Sequence, residues 1–254
     1  MTIQEFSDSF DTLLNSYASR PEFGEQASRA EIVLDEYEKS VMLTQAQDIV
    51  VKSFFDGKGN AKGDGFDDST ERQVDFSSLI TTATLEKSED QSSTFDDRGI
   101  IFDMPVRGCG ATDVLFILNE RLITTIGNLK KSYVVIPINY KEYDREMSKP
   151  YSQPLKKQAW RLFQNPSTCF DFKSELIPRW NLENTETISS YKIRYIRRPR
   201  PIVLTDLPDD LEIDGFAHEQ DCELNPILHP EILQKAVELA YASRGVRPTS
   251  NGNN

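Results

Sequence analysis

The sequence predicts an α+β fold: a helical bundle, made of two N-terminal helices and a C-terminal helix, that carries a β-rich central insertion. Apolar residues recur every three or four positions near both ends of the chain, which is the spacing of one helix face. In residues 99–204 they form short runs rich in β-branched and aromatic side chains, as strands do. A polar stretch with several glycines separates these two kinds of pattern.

Residues 1–56 are predicted to form a helical hairpin that needs a third helix to cover it. The first helix covers residues 3–18 and ends before Pro21, because the residue that precedes a proline is disfavoured in the helical region. The second covers residues 28–55 and starts at a capping box of Ser28 and Glu31. Its apolar stripe consists of Val33, Tyr37, Val41, Thr44, Val51 and Phe55.

Residues 57–98 are predicted to be a flexible acidic loop rich in Gly and Ser. Such a segment cannot bury enough apolar surface to offset the entropy lost on ordering. A short strand or turn is expected around residues 74–85. Residues 56–67 partly match a calcium-binding loop, but Lys58 occupies a ligand position, so we assign no metal there.

Residues 99–204 are predicted to form a β-rich domain. Pro199 and Pro201 have no backbone N–H to donate, so the last strand should lie at a sheet edge or continue as an extended arm. One or two helical turns are expected at 139–147. Strands are expected at 99–106, 113–126, 132–138, 159–163, 169–177 and 188–204.

Residues 205–246 are predicted to be an acidic linker followed by a docking helix. The helix runs from Pro230, which suits the first helical position, to Ser243, and Gly245 suits its end. Residues 247–254 are predicted to be a disordered tail. The apolar face of the helix consists of Ile232, Leu233, Ala236, Val237, Ala240 and Tyr241.

The 254-residue chain has a net charge of −12, and this charge is unevenly distributed. Residues 1–98 carry −12, residues 99–204 carry +7 and residues 205–254 carry −7. This alternation disfavours general nucleic-acid binding and suits self-association, with the basic part of one copy facing an acidic part of the next. No apolar run approaches the roughly 20 residues that span a bilayer. The N-terminus lacks the basic start of a signal peptide, so we expect synthesis in the cytoplasm and no membrane partner.

Neither enzymatic activity nor a cofactor or metal site is predicted. The three cysteines are widely spaced, no CxxC occurs, and we interpret them as reduced thiols. No nucleophile elbow, phosphate-binding loop or metalloprotease motif is present. His218 and Cys222 are four positions apart, but the surrounding acidic stretch does not have a helical pattern. The carboxylates of residues 206–214 lie on a linker without a rigid frame.

The basic stretch 191–200 is the strongest candidate for a binding surface. In a strand, Arg194, Arg198 and Arg200 would face one side, and Tyr191, Tyr195 and Arg197 the other. Arginines there could contact phosphates or acidic protein surface, and the tyrosines could stack on single-stranded bases. The acidic flanks favour protein. The predicted partner or subunit interface consists of Tyr191, Arg194, Tyr195, Arg197, Arg198, Arg200, Ile232, Leu233, Val237 and Tyr241.

Three blocks of sequence, at residues 139–164, 191–207 and 222–240, resemble head-to-tail connector ring or adaptor proteins of crAss-like tailed phages. The resemblance implies a virion protein that forms a homo-oligomeric ring, twelvefold to match a portal. It implies the portal protein and other connector or tail rings as partners. It also implies genomic double-stranded DNA passing through the ring without sequence-specific binding. Such proteins have no catalytic residues to carry over.

Three other functions remain open at this point. The protein could act elsewhere in the virion, as a tail or head-completion protein. It could bind single-stranded nucleic acid through residues 191–200. It could be a virion hydrolase that uses the carboxylates of the acidic linker.

Overall fold

The fold is seen in a computed structural model that describes residues 1–18, 34–55, 74–107, 112–149, 154–155, 157–164, 173–178, 186–208 and 210–243. The chain divides into two compact units. Unit 1 consists of Met1–Leu79 and Pro199–Asn254, and unit 2 of Ile80–Arg198. Unit 2 is therefore inserted into unit 1 between Leu79 and Pro199.

The predicted helical bundle with a β-rich insertion is wrong as a description of the fold. The main element is a curled, mixed β-sheet of seven strands, accompanied by four α-helices among the described residues. The strands are β1 (Ile80–Leu85), β2 (Ile100–Asp103), β3 (Val114–Ile126), β4 (Leu129–Pro137), β5 (Gln158–Gln164), β6 (Lys173–Pro178) and β7 (Glu186–Arg197). The helices are α1 (Ile3–Ala18), α2 (Glu36–Phe55), α3 (Tyr140–Met147) and α4 (His229–Ser243).

The sheet of unit 2 has the strand order β1-β7-β3-β4-β5-β6-β2. Every pairing is antiparallel except that of β4 with β5. Lys87, just after β1, bridges Phe102 of β2, so the sheet curls until its two edge strands approach each other. Its interior is filled by Leu85, Phe102, Met104, Leu122, Tyr133, Val135, Ala159, Leu176, Tyr191, Ile193 and Tyr195.

Helix α3 provides the connection that the parallel pair β4 and β5 needs, since parallel neighbours cannot be joined by a hairpin. Asn139 caps it: the Asn139 side chain accepts from the Glu142 N–H at 2.8 Å, and Glu142 accepts from the Asn139 N–H. The ring of Tyr143 packs with Trp160, Leu162 and Ile177 in a second apolar cluster. The helical turns expected at 139–147 are confirmed.

A buried network of hydrogen bonds fastens the segment before β2 to β6. The Glu175 carboxylate accepts from the backbone N–H groups of Phe95 and Asp96 at 2.9 and 3.0 Å. Asp96 in turn accepts from the Arg98 guanidinium at 2.8 Å and from the Tyr143 hydroxyl. Burial alone would raise the pKa of Asp96, but these two donors lower it to about 2. Burial, together with the Asp96 carboxylate, raises the pKa of Tyr143 to about 12.

Replacing Gly99 by Ala should loosen this network. A Cβ atom at Gly99 would collide with Oε1 of Glu175 and lie 2.8 Å from the Asp96 carbonyl oxygen. The carboxylate would have to move away from its two backbone donors, so we expect a loss of about 2 kcal/mol in unfolding free energy, measured with denaturant. Gly127→Asn is the control, because Gly127 has φ +55° and no atom near its Cβ position. Asn tolerates such a φ, and the control should stay within about 0.5 kcal/mol of the wild type. An equal, small effect of both changes would contradict this account.

The α-helices that the structure bounds in unit 1 are α1, α2 and α4. Helix α4 packs on both α1 and α2, and the Tyr241 hydroxyl donates to the Leu14 carbonyl oxygen. The predicted extent of this last helix, Pro230 to Ser243, agrees with its observed start at His229 and end at Ser243. The buried apolar residues of unit 1 include Phe6, Phe10, Leu14, Leu43, Val50, Val51, Ile232, Leu233, Val237 and Tyr241.

Residues 199–204 form an extended arm, which is one of the two alternatives that their prolines predicted. Strand β7 ends at Arg197, and the arm then runs along polar side chains of α2. Gln47 donates to the Arg200 carbonyl at 2.7 Å, Thr44 accepts from the Ile202 N–H at 3.1 Å, and Ser40 accepts from the Leu204 N–H at 3.0 Å. These side chains satisfy backbone groups that would otherwise be buried without partners.

The stability of unit 1 should fall at acidic pH because of His229. Its ring is buried, and its Nε2 lies 3.1 Å from the Leu224 carbonyl oxygen. Burial lowers the pKa of His229 below its ordinary value of 6.5. The unfolded chain therefore takes up this proton first. The stabilisation that the neutral, buried His229 ring gives is fully present above about pH 6.5, the pKa in the unfolded chain. It is lost as the pH falls through the lower pKa of the folded state. Unfolding free energies between about pH 7.5 and pH 5.5 should fall more steeply for the wild type than for His229→Gln. Parallel curves would contradict the prediction.

Some sequence predictions fall on residues outside the described ranges. These include the capping box of Ser28 and Glu31, Val33 of the apolar stripe, the loop residues 57–73, the segment 56–67, Cys109, Cys169 and the start of the strand expected at 169–177, Gly245 and the tail 247–254. Cys222 is described and is a free thiol, and burial raises its pKa to about 11. No helix in the described ranges has both the length and the apolar character needed to cross a membrane.

Candidate subunit interface

The aromatic and aliphatic residues of the predicted interface lie inside their own units. Tyr191 and Tyr195 of β7 point into the curled sheet and are 0% and 3% exposed. On α4, the four predicted residues Ile232, Leu233, Val237 and Tyr241 are at most 3% exposed and belong to the interior of unit 1. These six side chains therefore stabilise the chain itself, and their part in a contact with another copy stays a prediction.

The four arginines of the basic stretch do not share one surface. Arg194 and Arg198 are exposed and belong to unit 2. Arg197 is half-buried, and its Nη1 lies 3.5 Å from the Arg198 carbonyl oxygen. Arg200 belongs to unit 1, where its Nε lies 3.0 Å from Oε1 of Glu223. The structure thus divides the predicted basic run between the two units.

The outer face of the sheet instead places Arg194 beside two further cations. Arg121 of β3 stands directly opposite Lys192 of β7 in the antiparallel register. Arg194 lies two residues further along β7, opposite Asn119 of β3. All three cations are exposed. We call the surface formed by Arg121, Lys192 and Arg194 the basic face.

The basic face is unfavourable for an isolated chain. Like charges directly opposite each other on neighbouring strands repel. None of the three cations forms an ion pair with any residue that the structure describes. Such a surface is suited to an acidic partner that would remove the repulsion. The sequence analysis did not select Arg121, the only cation in the largely apolar strand β3. It also did not select Lys192, although Lys192 and Arg194 are two positions apart and therefore face the same side of a strand.

An acidic surface of matching character exists on unit 1. That unit has 26 acidic and 11 basic residues, a net charge of −15, whereas unit 2 has 15 acidic and 18 basic residues, a net charge of +3. The segment between the arm and α4 carries much of this acid on its surface. Its exposed carboxylates among the described residues are Asp206, Asp210, Glu212, Asp214, Glu219 and Asp221.

Within the described part of the sheet, the interior contains a buried ion pair. Arg161 Nε lies 3.0 Å from Oε1 of Glu120, and the Tyr191 hydroxyl donates to Oε2 of Glu120 at 2.8 Å. Burial raises the pKa of both Glu120 and Tyr191. Across the described ranges, no group of three or more His, Cys, Asp or Glu side chains is placed to hold a metal ion.

Comparison with known proteins gives consistent matches along almost the whole chain. A family model described as phage tail ring protein 3/4 matches residues 1–252. Ring protein 4/5 of Bacteroides phage crAss001 is 41% identical over 247 residues, which is 96% of this chain and 93% of that protein. Ring protein 3 of the same phage is 33% identical over 247 residues, 96% of each chain.

Proposed function

We propose that this chain, which belongs to the phage tail ring protein 3/4 family and is a structural ring protein of a crAss-like phage virion, forms its ring in the head-to-tail connector next to the portal. The portal protein and neighbouring connector or tail rings are then its partners. A twelvefold ring would match a twelvefold portal. The protein is made in the host bacterial cytoplasm and functions in the assembled particle.

The charge division between the two units is the observation that supports the ring itself. A closed ring is built from heterologous contacts, in which one surface of a copy meets a different surface of the next. The basic face of unit 2 and the acidic surface of unit 1 are such a pair of different, complementary surfaces. In the ring, Arg194 and Arg198 of one copy would contact unit 1 of its neighbour. These two residues belong to the interface that the sequence predicts.

Genomic DNA would pass through the centre of this ring. The chain has a net charge of −12, so many of its carboxylates are not neutralised by a cation and could line the channel wall. Acidic walls repel the phosphate backbone, so the DNA slides without being held. The proposed role is structural and not catalytic, in keeping with relatives that are named ring proteins.

A ring at a tail level is the second candidate, and the family description, which names a tail ring protein, favours it. The single-stranded nucleic-acid alternative loses its main support, since Tyr191 and Tyr195 are buried and cannot stack on bases without unfolding the sheet.

The direct test is to mix the purified chain with the purified portal protein of the same phage and to image the mixture by electron microscopy. Rings of this chain stacked on the portal would support the connector. Rings that form with tail proteins but leave the portal bare would favour the tail-level ring. A chain that forms no ring with either would contradict both candidates.

A further inference from the structure

A cavity of about 310 Å³ opens at the end of the curled sheet in unit 2. It lies between the first half of β3 and the last residues of β5. Met104, Val114, Phe116, Ile117 and Phe163 give it a mostly apolar wall, and Arg161 contributes a charged group. Cavities at the mouths of barrel-like sheets are common places for a bound group.

Arg161 is the unusual member of this wall. Its side chain is only 6% exposed, and its guanidinium carbon lies 3.9 Å from the centre of the Phe163 ring. Glu120 supplies the opposite charge at 3.0 Å, but the geometry is that of an ion pair and not of a hydrogen bond from Nε. Arg161 Nη1 is buried and has no acceptor among the residues that the structure describes. A buried charged donor without an acceptor costs free energy. The described residues of the isolated chain therefore leave the hydrogen bonding of Arg161 unsatisfied.

The cavity and the arginine together define the chemistry of an occupant. The volume equals that of about ten water molecules, but an apolar wall offers water few hydrogen-bond partners. An occupant with an apolar side chain next to a carboxylate would fill the cavity and bring an acceptor to the guanidinium. Arginine has five N–H donors and can therefore bind a second carboxylate in addition to Glu120.

Unit 1 carries a segment of this kind. Leu211 is 40% exposed, and its neighbours Asp210 and Glu212 are both exposed. The other exposed large apolar residues described in unit 1 are not flanked by exposed carboxylates on both sides: these are Met1, Ile49, Val74 and Ile227.

We propose that the cavity beside Arg161 receives the turn Asp210–Asp214 of a second copy, with Leu211 in the apolar part and Glu212 on the arginine. This inference rests on the proposed ring, in which unit 2 of one copy meets unit 1 of the next. Leu211 in the cavity would add an apolar anchor to a contact that is mainly electrostatic if the basic face acts alone. Such anchors in pockets supply most of the binding energy of an interface.

A peptide experiment tests the cavity without altering the folded chain. A fluorescently labelled peptide of residues 206–216 is titrated with the full-length protein, and its anisotropy is measured. The peptide should bind, and Leu211→Asp or Glu212→Gln in the peptide should each weaken binding at least about tenfold. Asp206→Asn is the matched control, since it also removes a charge but lies outside the turn, and it should bind nearly as well. Absent binding, or equal binding of all four peptides, would overturn the inference.

Cross-linking of the full chain tests the same contact in the assembly. In chains whose native cysteines are replaced by serine, Phe163→Cys and Leu211→Cys variants are mixed and oxidised. They should form a disulfide-linked dimer, whereas Leu129→Cys with Leu211→Cys, the control at an exposed residue of unit 2, should not. Rings that form without the Phe163–Leu211 cross-link would overturn the inference and leave the ring proposal intact. If the unaltered chain forms no ring, the ring proposal fails, and the peptide titration still decides the cavity.

Discussion

Reversing the charge of the basic face, by Arg121→Glu, Lys192→Glu and Arg194→Glu together, is expected to prevent ring assembly while each chain remains folded. All three side chains are exposed, so their replacement should change the unfolding free energy by no more than about 1 kcal/mol. Their contact with the acidic surface of the next copy would become repulsive. Light scattering and electron microscopy would measure the assembly, and tryptophan fluorescence would report the fold of unit 2.

The matched control makes the same change in charge elsewhere on unit 2. Lys130, Lys141 and Lys157 are exposed and lie outside the basic face, so reversing them should leave rings intact. Salt should also weaken the wild-type assembly, because exposed charges are screened over about 8–10 Å at physiological ionic strength. Rings of normal size and salt resistance from the Arg121, Lys192 and Arg194 variant would rule out the basic face as a subunit contact.

Val237→Asp is expected to unfold unit 1. The side chain is 0% exposed on the apolar face of α4, and α4 packs on α1 and α2. A carboxylate there has no partner, so we expect a loss of about 4 kcal/mol or more in unfolding free energy. Helical circular dichroism should disappear at a lower denaturant concentration, because three of the four described helices, α1, α2 and α4, belong to unit 1.

Gln234→Asp is the control for this change. It introduces the same side chain on the same helix at an exposed position, and it should cost less than about 1 kcal/mol. Equal stability of the two variants would show that α4 does not form the interior of unit 1.

The local elements could be predicted from the sequence because their signals are local. Proline at the first turn marks the start of α4, and the spacing of apolar residues marks α1. The short strand expected around residues 74–85 is β1. The sheet could not be predicted, because the pairings of β1 with β7 and of β2 with β6 join residues 70 to 116 positions apart along the chain. A local sequence pattern does not show which distant strand pairs with a given strand.

Helix α2 shows a different limit. The predicted apolar stripe of this helix includes Thr44, but the Thr44 hydroxyl accepts from the Ile202 N–H. Gln47 and Ser40 are likewise buried because they bond the backbone of the arm. A polar residue at a helical position does not show whether it faces water or a distant backbone group. The same limit applies to the prediction of the basic face. The position of Arg121 opposite Lys192 follows from the register of β3 and β7, which the sequence does not display.

A cryo-electron-microscopy reconstruction of the virion at side-chain resolution would show the proposed contact between copies. We predict a closed ring of this chain next to the portal, in which Arg121, Lys192 and Arg194 of each copy contact acidic residues of unit 1 of the neighbouring copy. A ring in which the basic face points away from all neighbouring copies would contradict the proposed assembly. A ring located away from the portal would contradict the connector position.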